Sequence, residues 1–237
     1  MQSFILYHGP AMLPYKGIIT VVVFLSDSNP KTGTCIAVAI LPGDGKRAMS
    51  DRKRGLDISV CGVCPFRSIA SGGKGGCYVS AFALMGYAGS ASAAWKRADP
   101  YAMPESTIIP MRLGAYGDPA AIPVESFQRL MDWHGGSCWG YTHGWRHSAA
   151  QHLRTTCMAS VETGEHQAHA MNKGWRVYRI VASLQDIKAT GLTLCESAKG
   201  IECIACGACS GTDARHDKGR AIVVHGASHK RAASSLA

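Results

Sequence analysis

The feature that most restricts how this chain can fold is the grouping of its cysteines. Seven of the ten fall into two short stretches. In Cys61 to Val79, CGVCPFRSIASGGKGGCYV, Cys61 and Cys64 form a Cys-x2-Cys step, and Cys77 returns after a loop holding Gly72, Gly73, Gly75 and Gly76. Near the other end, Cys195 is followed by Cys203, Cys206 and Cys209 in CESAKGIECIACGACSG. Four thiolates complete a tetrahedral zinc site or anchor an iron–sulfur cluster. Three either leave a coordination position open, as catalytic metal centres require, or need a fourth ligand from elsewhere. His8, Cys35 and Cys157 are the candidates for that fourth ligand.

Metal binding is the expected use of these thiols only where they stay reduced. The N-terminus, MQSFILYHGP, has neither a basic leader nor a long apolar stretch, so the chain reads as cytoplasmic, where thiols are kept reduced. The longest apolar runs, Ile18 to Leu25 and Cys35 to Leu41, fall well short of the roughly 20 residues that cross a bilayer, so no membrane is expected. With 46% hydrophobic and 17% charged residues over 237 positions, the chain can bury a sizeable core. It reads as a single domain: a β-rich segment over 1–60, a cysteine loop and helix over 61–107, and β/α units over 108–237 that include the second cysteine group. Isolated Cys35, Cys138 and Cys157 read as small buried hydrophobes. A formal charge of +9 favours an anionic partner, and Lys46, Arg47, Arg52, Lys53 and Arg54 lie just before the first cysteine step, so DNA or RNA is the expected partner. A solvated loop explains the same run.

Two β-branched runs, Ile18 to Leu25 and Cys35 to Leu41, flank SDSNPKTG, whose Asn29-Pro30 and Gly33 mark a turn; together they predict a hairpin. Asn29, Lys31 and Thr32 could also present polar groups to a ligand. Val79 to Arg97 predicts a helix ended by Asp99-Pro100, with Gly86 and Gly89 weakening it. From Ile108 onward apolar segments alternate with amphipathic ones. Strands are predicted at Ile109 to Ala115, Cys138 to Tyr141, Cys157 to Val161, Arg176 to Val181 and Ala221 to Val224, and helices over VESFQRLMDW, GEHQAHAMNKG and, more weakly, His147 to Leu153. This is the rhythm of β/α units with a parallel sheet. The expected fold is α/β: a partial or distorted (β/α) barrel with an N-terminal β-hairpin and two cysteine-rich metal-binding loops, or, second, an open doubly wound sheet.

Chemistry in such folds gathers at the C-terminal ends of the strands. Those positions hold Tyr116, Gly117, Asp118 and Pro119, then Thr142, His143 and Trp145, then Glu162 and Thr163, and finally His225. Each has a structural reading as a turn, cap or packed ring, but polar groups recur at every end.

Through FILYHGPAM, SNPKTG, CGVCPFR with GCYV, RLGAYGDPAAIP, GYTHGWR, CMASVET, GWRVYRI, CIACGACSG and AIVVHG the chain resembles a family of cysteine-rich proteins found largely in bacteriophages and prophages. That implies the host cytoplasm and imports no activity. A second, distant resemblance is to the radical SAM superfamily, whose partial barrels hold three cysteines on a loop after the first strand. Cys61, Cys64 and Cys77 would be those cysteines, although the usual Cys-x3-Cys-x2-Cys is replaced by Cys-x2-Cys-x12-Cys. Gly117, Asp118 and Pro119 in YGDP look like the motif that holds the methionyl amine, and Glu162 in ASVET resembles an acidic position at a later strand end. The resemblance implies a 4Fe-4S cluster and S-adenosylmethionine, with Gly117, Asp118 and Glu162 binding the cofactor. On that reading the substrate is anionic, nucleic acid being the candidate, and Tyr116, His143 and Trp145 stack on or hydrogen-bond a base, Tyr116 and His143 as catalytic groups. The second cysteine group then holds an auxiliary cluster or a structural zinc. The alternative is a non-enzymatic module, zinc-stabilised at both cysteine groups, that binds nucleic acid or protein.

Overall fold

The β-branched runs zip into an antiparallel pair round the turn at residues 29–33, and the sheet grows from this hairpin in both directions. In the computed structural model, which describes residues 3–212, 219–226 and 228–236, the chain opens with strands β1 (Ser3–Pro10), β2 (Ile18–Asn29) and β3 (Gly33–Pro42). Helices α1 (Ala48–Lys53), α2 (Ile58–Cys61) and α3 (Ala81–Ala94) follow. Next come β4 (Met111–Tyr116), α4 (Val124–Trp133), β5 (Cys138–Thr142), β6 (Cys157–Val161), α5 (Gly164–Asn172), β7 (Val177–Val181) and α6 (Leu184–Thr190). The chain ends through β8 (Thr193–Leu194), α7 (Cys203–Cys206), β9 (Arg220–Val223) and α8 (His229–Ser234). The weak helix expected at 147–153 is a 3-10 helix, Ser148–Thr155.

The nine strands lie in the order β1-β2-β3-β4-β5-β6-β7-β9-β8. The first two pairings are antiparallel and all from β3 onward are parallel. From β1 to β7 successive strands are neighbours, so the chain winds in one direction and never turns back through a central switch point. That rules out the doubly wound alternative, in which the strand order reverses. Winding in one direction is what builds a barrel, but the edge strands β1 and β8 are not paired with each other, and the sheet is open. The meander β1–β2–β3 widens the sheet on one side, where a barrel would need a β/α unit. Among the described residues, no helix is long and apolar enough to cross a membrane.

Alternation along the strands separates two faces. One faces a helical layer: Leu113, Cys138, Ala159, Val161 and Val177 share a core with Phe127, Leu130 and Trp133 of α4 and Ala170 of α5, and Val181 and Ala221 pack on Ile187 of α6. The other face, called the inner face below, carries Arg112, Trp139, Tyr141, Met158 and Tyr178. The second cysteine stretch covers part of it, with Cys203 and Cys209 on Trp139, Met158 and Cys35. At the hairpin end, Phe24 on the same face meets Tyr87 of α3, ring centroids 5.2 Å apart.

Candidate metal centres at the strand ends

The first cysteine stretch lies in the connection between β3 and β4, and its backbone is pinned before any metal is considered. Asp57, buried just ahead of α2, accepts hydrogen bonds from the Ser68 amide (2.8 Å) and hydroxyl (2.7 Å), which folds 61–68 back on itself. Arg67 donates to the carbonyls of Cys64 (2.8 Å) and Ser71 (3.1 Å), and the Gly75 amide donates to the Arg67 carbonyl (2.9 Å). These bonds return Cys77 to the neighbourhood of Cys61 and Cys64. The Asp118 amide then donates to the Val60 carbonyl at 2.6 Å, tying the loop to the C-terminal end of β4.

Burial pushes the Cys61 thiol up, reinforced by Cys64, Cys77, Asp57 and Asp118 around it. Cys77 is raised to about 11 by burial, against the pull of Arg52. Cys61 and Cys77 thus resist ionisation, and a shared cation would relieve them by driving their protons off. Tyr116 lies against the same group. It is buried, its hydroxyl has no hydrogen-bond partner, and Cys61, Asp57 and Cys77 add to the burial that raises it.

The fourth group at this site is a histidine. His143, just past β5, lies near the Cys64 thiol, and its Nε2 is 2.8 Å from Glu162 Oε1. Burial lowers the imidazole's pKa, but Cys64 and Glu162 outweigh that and hold it well above its ordinary value. Burial likewise raises Glu162, and the bond to His143, with help from His166 and Arg146, brings it below the usual carboxylate range. The candidates His8, Cys35 and Cys157 lie elsewhere. His8 bonds Thr20 and packs on Trp95, Cys157 is buried in the helix-side core, and Cys35 sits with the second cysteine group.

Asp118 stands beside the thiols, but its carboxylate is used by the fold. Oδ1 accepts from the Ala120 amide (2.9 Å) and the Thr142 hydroxyl (2.6 Å), and Oδ2 from the amides of His143 (2.7 Å) and Gly144 (3.3 Å). It therefore sets the position of His143. Gly117 has a packing reason: at φ +79°, a Cβ would come within 2.6 Å of the Ile40 carbonyl oxygen. Thr163 caps α5. Trp145, expected to stack on a base, is fully buried, donates to the Ser160 carbonyl (3.1 Å) and lies under Arg146. With Tyr116 also buried, neither ring offers a face to a ligand. In the basic run, Arg52 turns inward to the Val79 carbonyl (3.1 Å), while Lys46 and Arg54 lie near Asp44 and Asp51.

Cys195, Cys203, Cys206 and Cys209 line one small cavity on the inner face. Burial raises Cys209 to about 12, and Cys195, Cys203 and Cys206 act on it in the same direction. The β2–β3 turn seats this loop: the carbonyls of Lys31 and Thr32 accept from the amides of Cys203 (2.8 Å) and Ile204 (3.2 Å). Arg176 holds its far end through the carbonyls of Ala208 (3.0 Å) and Gly211 (2.7 Å). All ten cysteines are free thiols. Among the described residues, no three Cys, His, Asp or Glu side chains are placed to hold a metal ion as they stand. The fit to a metal rests on donor chemistry, on the clustering of the thiols and on the orphaned Tyr116 hydroxyl.

No protein-family model, curated protein or solved structure matches the chain.

Proposed function

We propose that the protein is an iron–sulfur enzyme of radical-SAM-like architecture that acts on an anionic substrate, with Cys61, Cys64 and Cys77 holding a 4Fe-4S cluster and the second cysteine group holding an auxiliary cluster or zinc. One observation carries this reading: three mutually close thiols sit on the loop after the first parallel strand, beside groups from the ends of the next three strands, Asp118, His143 and Glu162. When bound, such a cluster supplies an electron and an open coordination position for S-adenosylmethionine.

The chain's own groups have separate tasks. Asp118 positions the His143 backbone. The His143–Glu162 pair holds a proton beside the thiols and can pass it to or from a substrate. Arg52 lowers the negative potential around Cys77. The buried Tyr116 hydroxyl is free to donate toward the centre.

The position of His143 favours a second reading. Three thiols, with an imidazole oriented by a carboxylate, are the donor set of a closed structural zinc site. Anaerobic purification separates the two. Iron with acid-labile sulfide, broad visible absorption and a paramagnetic signal on reduction are expected. A colourless protein with stoichiometric zinc at both groups would overturn the enzyme reading in favour of the zinc module.

A further inference from the structure

The last helix of the chain lies on the first cysteine loop, and the contact gives Gly76 its reason. A Cβ there would come within 3.0 Å of the Ala232 Cα in α8 and 2.9 Å of the Phe66 ring. Gly75, Gly76 and Ala232 are all buried. Beside them, Lys74 donates from Nζ to the Ser235 carbonyl at 3.1 Å. On the other side of Cys77, the Tyr78 ring lies 5.8 Å from His225. Gly226, at φ +82°, packs so closely on Tyr78 that a Cβ would lie 3.3 Å from its carbonyl oxygen. The end of the chain therefore brackets Cys77, meeting Lys74, Gly75 and Gly76 before it and Tyr78 after it.

The two halves of this bracket are held unequally. His225 and Gly226 follow directly from β9, where the Val224 amide donates to the Val181 carbonyl at 2.9 Å, so the sheet fixes them. α8 has six residues and one buried side chain, Ala232. Among the described residues, no backbone hydrogen bond joins residues 228–236 to the loop, and no ion pair includes His229, Lys230 or Arg231. One small apolar side chain and one exposed lysine bond are weak anchors against the entropy that a chain end regains on release.

We propose that residues 228–236 form a strap over the Cys77 side of the first cysteine group. The strap turns at Gly226 and lifts without unfolding the sheet, and its position governs access to Cys77. Its action does not depend on which metal the thiols hold, so its test is made on metal-free protein under reducing conditions and stands apart from the iron–sulfur reading.

Hydrogen exchange of the wild type reads the lifting directly. Amides of α8 are expected to exchange through a local opening, with protection far below that of β2, β3 and β6. Exchange of α8 only in the global transition overturns the strap. Labelling with a thiol reagent, each cysteine followed by peptide mass, reads the access. A chain ended after Gly226 should label at Cys77 about tenfold faster or more, because no opening step remains, while Cys203 and Cys206 keep the wild-type rate. Ala232→Phe, too large for the slot against Gly76, should act in the same direction in a full-length chain. Lys74→Met removes one hydrogen bond and should speed Cys77 by about twofold to tenfold. Wild-type labelling of Cys77 in both the shortened chain and Ala232→Phe overturns the proposal. So does faster labelling of every cysteine together with lost cooperativity in urea, which would make α8 part of the fold and not a strap upon it.

Discussion

Asp118 shows how much of a candidate site is scaffold. Its two carboxylate oxygens take four donors, one from Ala120 and three from residues 142–144, so its charge is answered by the chain itself. Asp118→Asn would turn an amide donor toward one of those N–H groups. The expected cost is about 2–4 kcal/mol, from weakened charged hydrogen bonds plus an unsatisfied buried donor. Urea denaturation reads it directly, and a change below about 0.5 kcal/mol would contradict the structural role. Glu162 differs, since its bond to His143 acts on the ring rather than on the fold. If His143 is a metal ligand, Glu162→Gln should weaken metal retention at the first group by about ten- to a hundredfold, the usual effect of removing a ligand's orienting carboxylate. Competition with a chelator measures this. Unchanged retention would place His143 outside the coordination sphere, as the open-cluster reading requires. The sequence alone marked both carboxylates, but not which was scaffold, because three of the four donors that fill Asp118 come from residues 142–144, which only folding brings to it.

At the level of elements, the turn at residues 29–33 and the second cysteine loop form one unit. Gly33 adopts φ +72°, and a Cβ there would meet the Ile204 side chain at 2.5 Å and Glu202 at 2.7 Å. Gly33→Ala combines backbone strain with that clash, at about 1–2 kcal/mol. It should loosen the loop and speed labelling of Cys203 and Cys206 by a thiol reagent in metal-free protein; equal labelling rates would show that the turn does not seat the loop. Elements with their own periodicity were legible: VESFQRLMDW is α4, and Cys157 to Val161 is β6 to the residue. The hairpin also formed as expected, extended to residues 18–42. β1 was missed because Tyr7, His8 and Gly9 interrupt its apolar run, although it pairs along β2. α6 did carry a signal that went unread, Ser183 with Asp186 as a capping box and Gly191 as the C-cap. Strand order was not legible, since pairing between distant segments leaves no local pattern. The same is true of the approach of His143 to Cys64.

At the level of the whole molecule, the main core and the cysteine groups are separable. The large core joins β1–β7 with α3, α4 and α5 and uses Cys61 and Cys77 only at its margin. The second cysteine loop rests on a small satellite cluster of Cys35, Trp139, Met158 and Cys209. A core of that extent does not need a metal to fold, in contrast to small zinc domains whose folding energy is the metal's. Stripping metal under reducing conditions is therefore expected to leave a cooperatively unfolding protein with its strand content intact. The stretch from Cys195 to Gly211 should become sensitive to limited proteolysis and hydrogen exchange, while amides of β2, β3 and β6 keep the protection of the global transition. The first loop should respond less, because Asp57, Arg67 and the Asp118 amide pin it independently of the sulfurs. Collapse of cooperative unfolding in the stripped protein would show instead that the metal centres hold the sheet together.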